Sequence, residues 1–207
     1  MPVIETIVLA AGASSRMGRS KAALPLSHAA DTFLKRLGST LLEAGLPRLT
    51  IVTGAFPDLL ASAWPDHDRR VRAVHNPHWS SGQLSSILAG LDAVRAGDPD
   101  ALLVALVDTP LVRATTVRAL IDAWRATRAP IVRPCRGDQH GHPVLFDRAL
   151  FAELRAADPA RGAKPVVHAH RDTLIDLAVD DDGAFRDADT PDDYAAMLRA
   201  MVPSSER

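Results

Sequence analysis

The sequence predicts an α/β fold: an open, mostly parallel central sheet between two layers of helices, a three-layer sandwich. Three observations predict it. Short aliphatic and β-branched runs alternate with amphipathic stretches of helical period. One run, ALLVALVD at 101–108, is apolar at nearly every position, as suits a central parallel strand covered on both faces. The chain has 207 residues, enough for a single domain, 1–207, that buries most of its unfolded surface without disulfides or a structural metal.

Each element has a local reason. Residues 3–10, VIETIVLA, form the first strand and run into a loop at 11–25. Asp31 or Thr32 caps a helix whose apolar face is Phe33, Leu34, Leu37, Leu41 and Leu42. Gly45 stands where a C′ glycine belongs. LTIVTG at 49–54 is the second strand and VRAVHN at 71–76 the third. A helix follows at 85–94, then the central strand 101–108 and a helix at 115–125. PIVRP at 130–134 and HPVLF at 142–146 are strands, the latter leading into a helix at 148–156. A late strand lies at 173–179, and Pro191 opens a final helix that ends near 201, at a first-turn position that tolerates proline. Asp180-Asp181-Asp182-Gly183 reads as a solvated turn, since it lacks the D-x-D-x-D-G spacing of a calcium loop.

Composition excludes several functions. Net charge is −1, so the molecule is not a general polyanion binder, and any anion site must be local. Trp64, Trp79 and Trp124 are scattered and no basic stripe accompanies them, which argues against a nucleic-acid surface. The longest apolar run is far too short to span a bilayer, and MPVIETIV has no basic n-region, so neither a membrane span nor a signal peptide is expected. The single cysteine, Cys135, suits a reducing cytoplasm and reads as a small half-buried residue.

The stretch LAAGASSRMGRSKAALPL at 9–26 carries the strongest signal. Arg16, Arg19 and Lys21 stand there without an acidic residue, and Gly12 and Gly18 let backbone N–H groups approach an anion. Unit charges about 4 Å apart attract by roughly 4 kcal/mol at an effective dielectric near 20, so three cations can hold a triphosphate. The loop is neither a Walker A sequence nor G-x-G-x-x-G, and Ser14-Ser15-Arg16 is no nucleophile elbow. In open α/β sheets ligands bind beyond the carboxyl ends of the strands. That rule gathers the 11–25 loop, Thr53, Gly54, Asp108 and the region after 134 around one crevice.

Asp108 ends the apolar strand, and Pro110 stiffens the turn that aims it. Magnesium takes one or two carboxylates together with phosphate oxygens and water. Asp187 and Asp189, two residues apart, fall on one side of an extended segment and offer a second contact, while Thr190 caps the helix at Pro191. His140 with His142 and His168 with His170 form two H-x-H pairs. The second lies on a predicted helix where such residues do not share a face, which weakens a zinc reading. Ser85 and Ser86 offer hydroxyls for a base or phosphate, or for capping the next helix.

The pattern LAAG-x-S-x-R-M-G-x-x-K-x-x-L-P-L resembles the N-terminal signature of the MobA-like NTP transferases. NPHWSSGQLSSILAGL (76–91), VDTPLV (107–112), GHPVLF (141–146), RGAKPVV (161–167) and DADTPDDY (187–194) are similar to that family's later landmarks, in the same order. The resemblance implies a Rossmann-like fold of the nucleotide-diphospho-sugar transferase type. It implies that Leu9, Ala10, Ala11 and Gly12 contact the nucleotide, with Thr53, Gly54, Asn76, Gly82, Ser85 and Ser86. Arg16, Lys21 and Asp108 become the catalytic set. Asp108, Asp187 and Asp189 become the Mg2+ ligands, and Pro110, Gly141 and His142 line the acceptor pocket.

The expected reaction is nucleotidyl transfer: an acceptor phosphate oxygen attacks the α-phosphorus of an NTP and pyrophosphate leaves. Family members reading LAAG resemble cytidylyltransferases, whereas guanylyltransferases often read LAGG, and the methyl of Ala11 restricts a larger base. CTP and a molybdopterin acceptor are therefore expected, with a further enzyme receiving the finished cofactor. Val107 and Thr109 depart from the family's G-D-M-P, which leaves a sugar phosphate or a small phosphorylated alcohol open as acceptor, and GTP or another NTP as donor. A non-catalytic nucleotide-binding module is the rival from another class.

Overall fold

The computed structural model describes residues 2–14, 20–28, 31–59, 63–64 and 68–201. Arg16, Arg19 and Gly18 of the basic loop lie outside the described residues.

The elements, in chain order, are β1 (Ile4–Ala10), α1 (Phe33–Glu43), β2 (Leu49–Thr53), β3 (Val71–His75), α2 (Gln83–Val94) and β4 (Ala101–Leu106). After these come α3 (Ala114–Thr127), β5 (Ile131–Arg136), β6 (Gln139–His140), β7 (Val144–Asp147) and α4 (Phe151–Ala156). The chain ends with α5 (Lys164–Ala169), β8 (Ile175–Ala178) and α6 (Pro191–Met201). These strands form one mixed α/β sheet ordered β3-β2-β1-β4-β7-β5, with β6 and β8 also paired to β5. β1 is parallel to both β2 and β4, and β8 is parallel to β5.

The antiparallel members are β6, which pairs with β5, and β7, which pairs with β4 on one side and β5 on the other. The direction of β7 follows from a hairpin that the strand alternation conceals. β5 turns at Gly137 and returns as β6, and Gly141-His142-Pro143 interrupts the returning arm before β7. The expected strand at 142–146 therefore begins only at Val144.

Side-chain alternation builds the two cores. Val8 and Ala10 of β1 and Leu103 and Ala105 of β4 join one cluster with α1, α3 and α6, through Leu37, Trp124 and Met197. Ile7, Leu9, Leu102 and Val104 face the other, with Leu84, Ile87 and Leu91 of α2, Leu154 of α4 and Val166 of α5. Both faces of β1 and β4 are buried, which explains the unbroken apolar composition of β4, while β1 buries Glu5 and Thr6 among its apolar residues.

The helix ends have identifiable causes. Thr32, rather than Asp31, caps α1: its hydroxyl accepts from Lys35 N at 3.1 Å and donates to Ala63 O at 2.7 Å. Asp31 instead pairs with Arg36. Gly45 has φ +95°, as its place after α1 requires. Thr190 and Asp193 exchange bonds at the start of α6, the hydroxyl accepting from Asp193 N at 3.2 Å while Asp193 Oδ2 accepts from Thr190 N at 2.8 Å.

The 180–183 segment is not simply a solvated turn. Asp181 is buried. Its Oδ2 accepts from Arg113 N at 2.8 Å and from the Thr116 hydroxyl at 2.6 Å, and its Oδ1 accepts from Gly183 N at 3.1 Å. A residue 65 positions downstream of Thr116 thus caps α3, whose own cap residue is Arg113. Replacing Asp181 by Ala leaves these donors buried without an acceptor. A loss of about 2–4 kcal/mol in stability is expected, read as a lower urea midpoint at unchanged m-value.

Candidate active site

Parallel pairing of β1 with β4 brings two loops side by side. Leu9 lies opposite Leu106, and Val107 N donates to Leu9 O at 3.2 Å. The chain after β1 therefore leaves the sheet beside Asp108. A third segment arrives from the C-terminal part, where Ala188 N donates to the Asp108 carbonyl at 3.2 Å and holds Asp189 over the same cleft.

Lys21 closes the arrangement. It starts a 3-10 turn, Lys21–Ala23, and its N–H donates to the Ser14 hydroxyl at 3.1 Å, tying the two ends of the basic loop together. Lys21 Nζ lies 2.5 Å from Asp189 Oδ1 and 3.5 Å from Asp108 Oδ2. Burial raises the Asp108 carboxyl above its ordinary range. The Lys21 ammonium draws it back down, and the Asp187 and Asp189 carboxylates push it up again.

The cleft around these groups has a volume of about 410 Å³. Leu9, Ala10, Ala11 and Gly12 line it, as do Gly82, Ser86, Asp108 and Asp189. A second, larger groove of about 1100 Å³ shares Gly82, Gln83 and Leu106 with the cleft and runs past Gly141 and His142. Its wall includes Arg133, Arg161, Lys164 and Arg171, and no carboxylate lines it among the described residues.

Other expected residues lie elsewhere. Thr53 is buried, and its hydroxyl bonds the Val74 carbonyl at 3.4 Å. A Cβ on Gly54 would stand 2.5 Å from both Ala11 O and Trp79 Cβ, so this glycine lets Trp79 close over the end of β2. Asn76 is buried and serves the local turn. Its amide donates to the Ser85 and Ser86 hydroxyls at 2.9 and 3.0 Å, and its carbonyl accepts from His78 N at 2.9 Å. Ser85 is bound up in that turn, within 2.8 Å of Gly82 O. Pro110 faces a different depression, beside Arg36 and Thr40, because the turn after Asp108 carries it away from the larger groove. Asp187 is exposed and does not line the cleft, though its charge reaches Asp108.

Trp79, Gln83 and Ser14 line the cleft without having been singled out. Trp79 stands in the segment at 76–91, so its position was readable. Ser14 has φ +50°, a conformation that no residue pattern announces. The second histidine pair is split, with His168 inside α5 and His170 bonded to Glu153 at 2.7 Å.

Among the described residues no group of three or more His, Cys, Asp or Glu side chains forms a metal cage. Asp108 and Asp189 nevertheless offer an all-oxygen pair suited to a hard cation that completes its shell with phosphate and water. Asp108 Oδ1 is buried and has no hydrogen-bond partner among the described residues, which fits an oxygen meant for a cation.

His142 is held neutral. Burial lowers its pKa to about 4, against the opposing pull of a hydrogen bond to the Val104 backbone, and Nδ1 is buried without a hydrogen-bond partner among the described residues. A depressed imidazole favours folding above its unfolded pKa, near 6.5, and that contribution is lost as pH falls toward 4. Up to about 3 kcal/mol should disappear over this window. His142→Gln should flatten this part of the stability profile, measured by urea unfolding at stepped pH.

Comparison with known proteins agrees with the geometry. The MobA-like NTP transferase domain family matches residues 6–174. The chain is 31% identical over 204 residues to nicotine blue oxidoreductase of Paenarthrobacter nicotinovorans, covering 96% of this chain and 98% of that protein. It is 25% identical over 199 residues to molybdenum cofactor cytidylyltransferase of Escherichia coli K12, covering 94% and 95%. The fold matches the crystal structure of Rv0371c from Mycobacterium tuberculosis H37Rv with a TM-score of 0.80 and 29% identity, over 96% of this chain and 98% of that one. A manganese complex of Rv0371c matches with a TM-score of 0.77 and 28% identity, over 96% and 100%. No helix among the described residues is long and apolar enough to cross a membrane. With the family match reaching from β1 to the end of the larger groove, the chain belongs to the MobA-like NTP transferase family, and it is a nucleotidyltransferase that takes a nucleoside triphosphate and a phosphorylated acceptor.

Proposed function

We propose that the chain transfers CMP from CTP to a molybdopterin-type acceptor in the cytoplasm, with Mg2+, and releases pyrophosphate. The whole chain, 1–207, acts as one catalytic domain. The observation that carries this reading is the meeting of Lys21, Asp108 and Asp189 in a cleft that opens directly into a larger, cationic groove.

Each residue then has a task. Backbone at Leu9–Gly12 packs beside the nucleotide, and the Ala11 methyl narrows the space for a base. Lys21 meets the charge that grows on the leaving pyrophosphate. Arg16 shares that work by resemblance to the family signature. Asp108 and Asp189 hold the Mg2+, which when bound neutralises the phosphates and aligns them for in-line displacement. The relative solved with manganese supports a divalent ion in this fold. Gly141 and neutral His142 face the acceptor body, and Arg161 and Lys164 on the groove wall favour an anionic one. An acceptor phosphate is already ionised at neutral pH, so positioning and electrostatics supply the rate without a protein nucleophile. The relative named as a cytidylyltransferase supports the choice of CTP and of acceptor. The finished cofactor would pass to a receiving enzyme.

The test is pyrophosphate release from each of the four NTPs with molybdopterin and with sugar phosphates. CTP with molybdopterin should turn over fastest, and preference for GTP would end the base assignment. Asp108→Asn should lower kcat by roughly a hundred- to a thousandfold. Turnover at the parental rate would remove Asp108 from the reaction. The relative named nicotine blue oxidoreductase sets a control. Redox turnover of nicotine blue, without pyrophosphate release from any NTP, would overturn the transferase reading.

A further inference from the structure

We infer that Lys21 occupies the seat of the divalent cation until a triphosphate draws it away, so that metal and nucleotide bind as a pair. This rests on the metal-holding role proposed above for Asp108 and Asp189. One ammonium is shared by the two carboxylates that face the cleft, at 2.5 Å from Asp189 and 3.5 Å from Asp108. The Lys21 side chain is only 13% exposed, so bulk water is a poor substitute for these partners.

Lys21 Nζ lies against both oxygens that would hold a cation. The ammonium is tethered, since its own backbone N–H is fixed to Ser14 across the loop. To admit a divalent cation alone, Lys21 would give up both carboxylates and stay behind as a poorly solvated ammonium, which is costly. A triphosphate offers that ammonium a new set of oxygens in their place. Each ligand thereby lowers the obstacle to the other, and the coupling is reciprocal.

The experiment titrates the full-length protein with Mn2+ in the absence of nucleotide and reads free Mn2+ by electron paramagnetic resonance. Wild type, Lys21→Met, Lys21→Arg and Asp108→Asn are compared. Lys21→Met should bind Mn2+ roughly tenfold more tightly than wild type, a factor within the usual range of site coupling. Lys21→Arg keeps the charge and should stay as weak as wild type. Lys21→Met binding no more tightly than wild type overturns the inference, as does Lys21→Arg matching Lys21→Met. Loss of Mn2+ binding in Asp108→Asn keeps the metal reading intact even then. Equal binding by Asp108→Asn and its parent brings down the metal reading and this inference with it. If Lys21→Met proves unstable, its Tm is followed against Mn2+. A rise larger than that of wild type supports the exchange, and indifference to Mn2+ sinks it.

Discussion

The parallel pairing of β1 with β4 is the constraint on which the site depends. Leu9 opposite Leu106 sets the register, and both strands are buried on both faces, so neither can slide without exposing a core. The two chains leave the sheet side by side at their carboxyl ends. Lys21 and Asp108, 87 positions apart in sequence, consequently meet across one cleft. Ala188, bonded to the carbonyl of Asp108, brings in the third segment.

Electrostatics dominates what this cleft can do. Removing Asp108 from water would by itself favour the protonated form, and two further carboxylates add to that tendency. The neighbouring Lys21 ammonium opposes that tendency. The site is therefore built around positive charge, that of a lysine of the chain and of the divalent ion proposed above, set against the negative charge of the substrate. The adjoining groove continues the theme with basic side chains over an apolar floor of Ile87, Val104 and Phe146. Such a surface suits an acceptor with a phosphate at one end and a less polar body.

Much of the site was legible from short range. The loop after β1, the acid-free run of cations and the aspartate at the tip of an apolar strand are all local patterns, and strand ends locate ligand crevices in open sheets. Thr53, Asn76, Ser85 and Pro110 show where that logic stops. A strand-end position predicts nearness to the crevice but not the direction of the side chain. Asn76 turns inward because three local partners satisfy it. Pro110 is carried to the far side of the turn. Asp181 was illegible for the opposite reason. Its acidic, glycine-ended surroundings read as exposed, and only the docking of its segment against α3 gives it three donors to satisfy.

The sequence by itself determined the layered α/β plan, the positions of most strands and helices, and the cationic composition of the first loop. These rest on period, composition and spacing, which operate over a few residues. Tertiary structure decided the rest: the reversed strand β7, the identity of the α3 cap, which carboxylate reaches Lys21, and the joining of cleft to groove. Those features depend on contacts between separate segments, as far apart as Lys21 and Asp189, and no local pattern encodes the meeting of distant side chains.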